Sequence, residues 1–259
     1  QAADEIGALS VVGFDTESKP VFVRGQTQDG PHLVQFASAE RAWLFPLVCL
    51  VLLGVGLLGT LAHLGQPLRF INGMANPASM ISQESYWSIA FGVVLVVDLA
   101  LCKVKGNAVM PLRWVGALVA IGLMVVTGMA YFMSLGLEAW RGAATVPLFV
   151  VGDFVLGAAL CALFADEGNR RAILVANVVF AAVWTVVLVA FGLYLGTVAL
   201  DATPQLVVAG ILALAGAAVA LAALAGKLAE MPTSIALIAL ALVGVVVARY
   251  AFFALGMGA

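Results

Sequence analysis

The sequence has few charged residues for its length. Charged residues make up 10% of its 259 residues, whereas hydrophobic residues make up 64%. A soluble domain is about one-quarter charged and about half apolar, so a chain of this composition could not keep its surface in water. The formal net charge of −2 offers no basic surface for nucleic acid. The composition therefore predicts an integral membrane protein that contacts the lipid bilayer and binds no nucleic acid.

Histidine and cysteine are also scarce, which argues against a bound metal or haem. The two histidines are His32 and His63, and His32 lies outside every apolar segment. The chain therefore cannot supply the two membrane-level histidines that hold a b-type haem. The three cysteines lie in apolar segments, at spacings that match neither a metal site nor a disulfide framework. We expect no haem and no metal in this chain.

Long apolar segments are what the sequence has in abundance. A helix that crosses a bilayer needs about 20 mostly apolar residues, and short breaks with turn residues and charges separate the segments that qualify. The sequence predicts an all-α integral membrane fold, an antiparallel bundle of seven recognisable transmembrane helices. The predicted segments are 42–64, 85–101, 112–135, 146–165, 172–195, 205–225 and 234–255.

Lysine and arginine are divided unevenly between the two sides of this bundle. The side with Arg69 and Arg141 has only two such residues. Cytoplasmic loops carry the excess of positive residues, so the other side is predicted to be cytoplasmic. The loop after the first segment and the C-terminus are then predicted on the outer face. The seven residues on the cytoplasmic side are Arg41, Lys103, Lys105, Arg113, Arg170, Arg171 and Lys227.

Five polar residues from five segments are predicted at a similar depth, in the outer half of the membrane. They are His63, Glu84, Tyr131, Asp153 and Arg249. A charged side chain at the bilayer centre costs about 3 kcal/mol, so such residues pair, face the bundle interior or serve a function. Asp153 and Arg249 could form a structural ion pair between two helices. Alternatively, the five residues line one polar pocket in which a histidine beside a carboxylate accepts protons.

Simpler explanations exist for three polar residues near the membrane surfaces. His63 could equally cap the carbonyls of its helix or touch lipid headgroups. Arg69 could equally bind a lipid phosphate. Asp98 lies one turn before Lys103 and is predicted to pair with it as the lysine extends towards the cytoplasmic headgroups.

The loop after the first segment carries a recognisable motif. The stretch HLGQPLRFINGMANPASMISQE, residues 63–84, resembles the HLG-x-P-x-R … S … S-x-E loop of the membrane anchor subunits of dimethyl sulfoxide reductase-type complexes. Looser agreement comes from the stretch that begins near Tyr131 and from ARYAFF at 248–253. The resemblance covers roughly residues 42–259.

The resemblance implies a haem-free anchor of eight helices that oxidises menaquinol near the outer membrane face. Such an anchor passes electrons to an iron–sulfur subunit and then to a molybdopterin catalytic subunit, and these partners hold the iron–sulfur clusters and the molybdopterin. By position, His63 and Glu84 match residues associated with the quinol site and are the expected proton acceptors, and Arg69 matches the arginine of the loop. The expected quinol-binding residues are His63, Arg69, Glu84, Tyr131, Asp153 and Arg249.

This resemblance places the chain in the cytoplasmic membrane of a bacterium or archaeon. Two other functions remain open from the sequence. The chain could be a purely structural anchor or a polysulfide-reductase-like membrane subunit, or it could be an unrelated transporter. A transporter of this size often has inverted repeats and helices broken at the midplane, whereas the polar groups here cluster near one face.

The first forty residues differ from the rest of the chain. Residues 1–41 hold six of the 14 acidic residues and are too polar to form the first helix of the family. Residues from about 8 to 47 instead resemble the start of a ribonuclease D-like exonuclease, with three short strands and an Asp15-x-Glu17 metal-binding pair. The further carboxylates that a two-metal nuclease needs are absent. Segment 1–41 is therefore predicted to be a polar fragment without function, joined to an anchor domain 42–259 by gene fusion or by an error of sequence assembly or assignment.

Overall fold

The structure is a computed structural model that describes residues 12–17, 33–62, 70–105, 108–165 and 167–256. Within these residues a long helix lies over each of the seven predicted apolar segments, and a single helical turn follows the first of them. The helices are α1 (Ala39–Ala62), α2 (Phe70–Gly73), α3 (Met80–Lys105), α4 (Met110–Phe132), α5 (Thr145–Cys161), α6 (Glu167–Thr197), α7 (Thr203–Leu224) and α8 (Glu230–Gly256). The predicted all-α membrane fold is confirmed.

Six of the helices in the described residues are long and apolar enough to span a bilayer. Among the seven long helices the exception is α5, which has 17 residues. At 1.5 Å per residue this is about 25 Å, the lower limit for a span. The sequence predicted this segment to continue to residue 165. It ends at Cys161 because the N–H groups of Leu163 and Phe164 donate to carbonyls three residues earlier, which turns the chain out of the α-helix.

Two strands precede α1. Strand β1 (Val12–Glu17) pairs antiparallel with β2 (Leu33–Ser38), with Val12 opposite Ser38. They lie in the segment for which the sequence predicted three strands, and the predicted third strand falls outside the described residues. The side chains of Asp15 and Glu17 are also outside the described part of the chain. The division into a fragment 1–41 and an anchor domain 42–259 stays a prediction.

The chain divides into two compact units, one of residues 1–76 and 85–120 and the other of residues 77–84 and 121–259. In the first unit, the buried Asp98 of α3 accepts a hydrogen bond from Arg113 Nε of α4 at 3.2 Å. The sequence predicted Lys103 as the partner of Asp98. Cys102 lies in the same network, since its thiol is 3.7 Å from Asp98 and 3.6 Å from Arg113. The observed ion pair links two helices, which a pair within α3 could not do.

The second unit contains the main hydrophobic core, in which α5, α6, α7 and α8 pack together. Large aromatic side chains fill its centre and are almost fully buried: Phe149, Trp184, Phe191 and Phe252. Buried alanines such as Ala209 and Ala213 let α7 approach its neighbours closely. Two polar side chains tie α6 and α8 to the end of α5.

These two polar contacts satisfy carbonyl groups at the end of α5. Asn177 of α6 donates its amide N–H to the carbonyl of Ala158 at 2.9 Å, and Ser234 of α8 donates its hydroxyl to the carbonyl of Ala162 at 2.8 Å. The carbonyl of Ala158 also accepts the N–H of Ala162 at 3.2 Å, and the carbonyl of Ala162 lies just beyond α5, where carbonyls have no partner within the helix. The contacts therefore stabilise the short α5 against the two longer helices beside it.

Gly128 of α4 provides a test of how α4 and α5 pack. A Cβ atom at this position would lie 3.0 Å from Val146 Cα and 3.4 Å from Phe149 Cβ of α5. We expect Gly128→Ala to destabilise the protein by about 1–3 kcal/mol because the backbone of α5 cannot move aside easily. At about 2–4 °C per kcal/mol, the midpoint of thermal unfolding in detergent should fall by several degrees.

Gly157→Ala is the matched control, because a Cβ atom there would meet nothing within 4 Å. Alanine is the better helix former by about 1 kcal/mol, so this variant should unfold at the wild-type temperature or slightly above it. Equal midpoints for the two variants would contradict the close approach of α4 and α5 at Gly128.

Candidate functional site

Four of the six predicted site residues belong to described parts of the second unit. Each comes from a different helix, and each lies within about 12 Å of a helix end at 1.5 Å per residue. These ends are the start of α3, the end of α4, the start of α5 and the end of α8. The four residues are Glu84, Tyr131, Asp153 and Arg249. The other two predicted residues, His63 and Arg69, lie outside the described residues.

Asp153 and Arg249 form an ion pair between α5 and α8. Arg249 Nη2 donates to Asp153 Oδ1 at 3.0 Å, and it also lies 3.3 Å from the carbonyl oxygen of Phe149. The Asp153 side chain is 33% exposed and that of Arg249 is 20% exposed, so the pair is half-buried. The sequence left open whether these residues form such a pair or line a pocket, and the structure brings them into contact.

Arg249 is held in a further way, by an aromatic ring. The guanidinium carbon lies 3.5 Å from the ring centroid of Phe149, a cation–π contact that favours a partly desolvated cation. Arg249 Nε is buried and has no hydrogen-bond partner among the described residues. The guanidinium therefore has a fixed position, with one buried N–H that makes no hydrogen bond to the described residues.

Tyr131 lies among aromatic rings at the same end of the unit. Its ring stacks on Phe149 with centroids 5.0 Å apart and meets Trp140, Phe252 and Phe253 edge-to-face at 5.1, 5.5 and 5.4 Å. Aromatic pairs at these separations prefer offset-stacked or edge-to-face arrangements. The phenol is therefore set in a cluster of fixed rings that come from α5, α8 and the connection between α4 and α5.

Trp140 brings this connection onto the end of α8. It belongs to a short 3-10 turn, Glu138–Trp140. Its indole N–H donates to the carbonyl of Phe252 at 2.8 Å and its ring stacks on that of Phe252. The hydroxyl of Thr145, the first residue of α5, donates to the carbonyl of Trp140 at 2.8 Å. The turn thus covers the aromatic cluster and fixes where α5 begins.

Glu84 joins the cluster from α3 through a residue that the sequence analysis missed. The hydroxyl of Thr127 on α4 donates to Glu84 Oε1 at 3.0 Å. Thr127 lies four residues before Tyr131, on the same face of α4. Glu84 and Asp153 thus each accept a hydrogen bond from a donor on another helix.

The arrangement combines flat aromatic faces with fixed donors and acceptors of hydrogen bonds. Such a combination can bind a ring that carries oxygen atoms, because pockets for ring ligands are mostly apolar and use a few polar groups for orientation. The carboxylates can accept protons from bound hydroxyl groups. No group of three or more potential metal ligands occurs among the described residues.

The sequence analysis did not name Thr127 and Phe149 as site residues, although their spacing along the helices indicated them. Thr127 lies four positions before Tyr131, and Phe149 lies four positions before Asp153. Residues four apart share one face of a helix, so each predicted site residue marks the helix face on which further site residues are expected. Trp140 has no such signal, because it lies in the connection between two helices.

Comparison with known proteins identifies the family. The family model described as DMSO reductase anchor subunit (DmsC) matches residues 37–255. Neither a curated protein nor a solved structure matches the chain. The matched residues include all of α1 to α7, all of α8 except Gly256, and the four described site residues. The chain, a membrane anchor with helices that cross the bilayer, therefore belongs to the DMSO reductase anchor subunit (DmsC) family.

Proposed function

We propose that this anchor subunit oxidises menaquinol at the cluster formed by Glu84, Tyr131, Asp153 and Arg249, together with His63 and Arg69. The observation that carries the proposal is the group of donors and acceptors around Tyr131. Glu84 accepts a hydrogen bond from Thr127, and Asp153 accepts one from Arg249. A structural anchor needs only apolar helices, so charged groups held at one end of the bundle indicate a further function.

The chemistry follows from what a quinol loses. Its oxidation breaks two O–H bonds and releases two protons and two electrons. The carboxylate of Glu84 and the imidazole of His63 accept the protons, and the electrons pass to an iron–sulfur subunit of the complex. Arg69 and Arg249 bind the quinone oxygens, and the rings beside Tyr131 support the flat naphthalene ring.

The route of the electrons sets where the partner binds. Without a haem to relay electrons across the bilayer, the quinol must lie close to the nearest iron–sulfur cluster of the partner. The iron–sulfur subunit, with the molybdopterin subunit behind it, therefore docks on the face that carries His63 and Glu84. From the lysine and arginine count, this is the outer face of the cytoplasmic membrane. Membership of the anchor family argues against the unrelated transporter considered from the sequence.

Glu84→Gln and His63→Ala test the proton acceptors. Each should lower the kcat of quinol oxidation by about a hundredfold or more, because a positioned proton acceptor contributes about 10²–10⁴-fold. The measurement is oxidation of a soluble naphthoquinol by membranes that contain the whole complex, with dimethyl sulfoxide as the electron acceptor.

A reduced viologen dye provides the control, because it donates electrons directly to the soluble subunits. Viologen-driven activity should be the same in both variants and in the wild type, which shows that the complex is assembled. Wild-type quinol oxidation in both assembled variants would refute the proposed site.

The Asp153–Arg249 pair can be tested for a function beyond joining α5 to α8. Arg249→Met leaves Asp153 half-buried and unpaired, which should destabilise the protein by about 2 kcal/mol, between the values for exposed and buried pairs. The double variant Asp153→Leu/Arg249→Met removes both charges and should recover the thermal unfolding midpoint. We expect quinol oxidation to stay low in the double variant, and full activity there would assign the pair a structural role only.

Labelling from one side of the membrane tests the orientation. In a background without Cys49, Cys102 and Cys161, a cysteine introduced at the exposed Ala75 should react with an impermeant maleimide added outside intact cells. A cysteine at the exposed Ala229, on the predicted cytoplasmic side, should react only after the cells are opened. The reverse pattern would place the loop between α1 and α3 in the cytoplasm.

A further inference from the structure

Thr127 makes a contact that its own helix does not require. Thr60 and Thr185 each donate their hydroxyl to the carbonyl four residues earlier in the same helix, a usual arrangement for threonine inside a helix. Thr233 donates in the same way to Ala229, the residue just before α8. The Thr127 hydroxyl instead donates to Glu84 Oε1 at 3.0 Å, a residue 43 positions away in the sequence. This hydroxyl is therefore committed to a carboxylate on α3.

The contact fixes one oxygen of Glu84 and leaves the other available. A hydroxyl has one proton to donate, and an ionised carboxylate accepts on both of its oxygens. The Thr127 hydroxyl donates its hydrogen bond to Oε1, and Oε2 accepts no hydrogen bond from the described residues. A hydrogen bond to one oxygen restricts rotation of the carboxyl group. The orientation of Oε2 is therefore fixed even when no ligand is bound.

Thr127 also determines on which side of α4 the carboxylate lies. Thr127 and Tyr131 are four residues apart, so they lie one above the other on the same face of α4. The hydrogen bond from Thr127 therefore keeps Glu84 on the face that carries the phenol.

We propose that Thr127 is a positioning residue for quinol oxidation, whose hydroxyl holds Glu84 Oε1 so that Oε2 accepts a proton. This inference rests on the proposed function of the site. When a quinol is oxidised, one O–H bond of the quinol breaks and a new O–H bond forms at Oε2. The second proton goes to His63, and the two electrons go to the iron–sulfur subunit. Thr127 neither gains nor loses a proton.

Thr127→Val removes the hydroxyl and keeps the shape of the side chain. In membranes with the whole complex, the kcat for oxidation of a soluble naphthoquinol should fall about tenfold, the effect of losing one hydrogen bond to a charged group. KM should stay unchanged because Thr127 does not touch the substrate. Thr127→Ser keeps the hydroxyl and should have close to wild-type activity.

Thr185→Val is the matched control, because that hydroxyl bonds only the carbonyl of Ala181 in its own helix, and it should leave kcat unchanged. The Thr127→Val/Glu84→Gln double variant should be no slower than Glu84→Gln alone, since the hydroxyl acts through this carboxylate. A further loss in the double variant, or equal losses for Thr127→Val and Thr127→Ser, would assign Thr127 a general structural role and overturn the inference.

The remaining outcomes separate this inference from the proposed function. If Thr127→Val oxidises the naphthoquinol with the wild-type kcat while Glu84→Gln is inactive, the inference is wrong and the proposed site is retained. If Glu84→Gln oxidises the naphthoquinol at the wild-type rate, the proposed site fails and the inference fails with it. Viologen-driven activity, measured in every variant, shows that any loss arises in the anchor and not in the soluble subunits.

Discussion

The ion pair between Asp153 and Arg249 fixes the position around which the end of the second unit is organised. A charge held at membrane depth is costly unless it has a partner, so α5 and α8 must keep the register that brings these two side chains within 3.0 Å. That register in turn places Phe149 beneath the guanidinium and Phe252 and Phe253 beside Tyr131. One electrostatic requirement thus determines how the aromatic rings of two helices meet.

The aromatic cluster and the charged groups depend on each other. The rings exclude water from part of the guanidinium, which strengthens its attraction to Asp153 because the local dielectric constant is lower. Trp140 extends this effect, since its hydrogen bond to the carbonyl of Phe252 holds the connection between α4 and α5 over the rings. The site is therefore rigid on the sides formed by α5 and α8. Glu84 enters from α3 and is held by a single side-chain hydrogen bond from the described residues.

Much of this arrangement could be predicted from the sequence, and the reasons for the rest are physical. The length of the apolar segments predicted the helices, because a helix must reach a minimum length to cross a bilayer. Counting residues from helix ends predicted that Tyr131, Asp153 and Arg249 share a depth. Depth does not determine which residues touch, so the partner of Asp98 was predicted as Lys103, within one helix, although it is Arg113 on the next.

The residues that escaped prediction are those whose role is visible only across helices. Threonine is common inside membrane helices, where its hydroxyl normally bonds its own backbone, so only the spacing from Tyr131 distinguished Thr127 from Thr185 in the sequence. The end of α5 was predicted too late because Ala162 and Leu163 are as apolar as the helix before them, and only the hydrogen-bond pattern shows the turn. His63 and Arg69 lie outside the described residues, so their part in the site stays a prediction.

The two charged networks of this protein differ in how completely they are satisfied, and the difference separates a structural ion pair from a binding site. In the first unit, Oδ2 of Asp98 accepts from Arg113 and Oδ1 faces the thiol of Cys102, which leaves the carboxylate no free oxygen. In the second unit, Arg249 retains a buried N–H without a partner in the described residues, and Asp153 and Glu84 each use one oxygen. Unused hydrogen-bonding groups are costly inside a membrane bundle. The second oxygens of Asp153 and Glu84 can accept hydrogen bonds from a ligand that carries hydroxyl groups, and for this reason we propose the site around Tyr131 and not around Asp98.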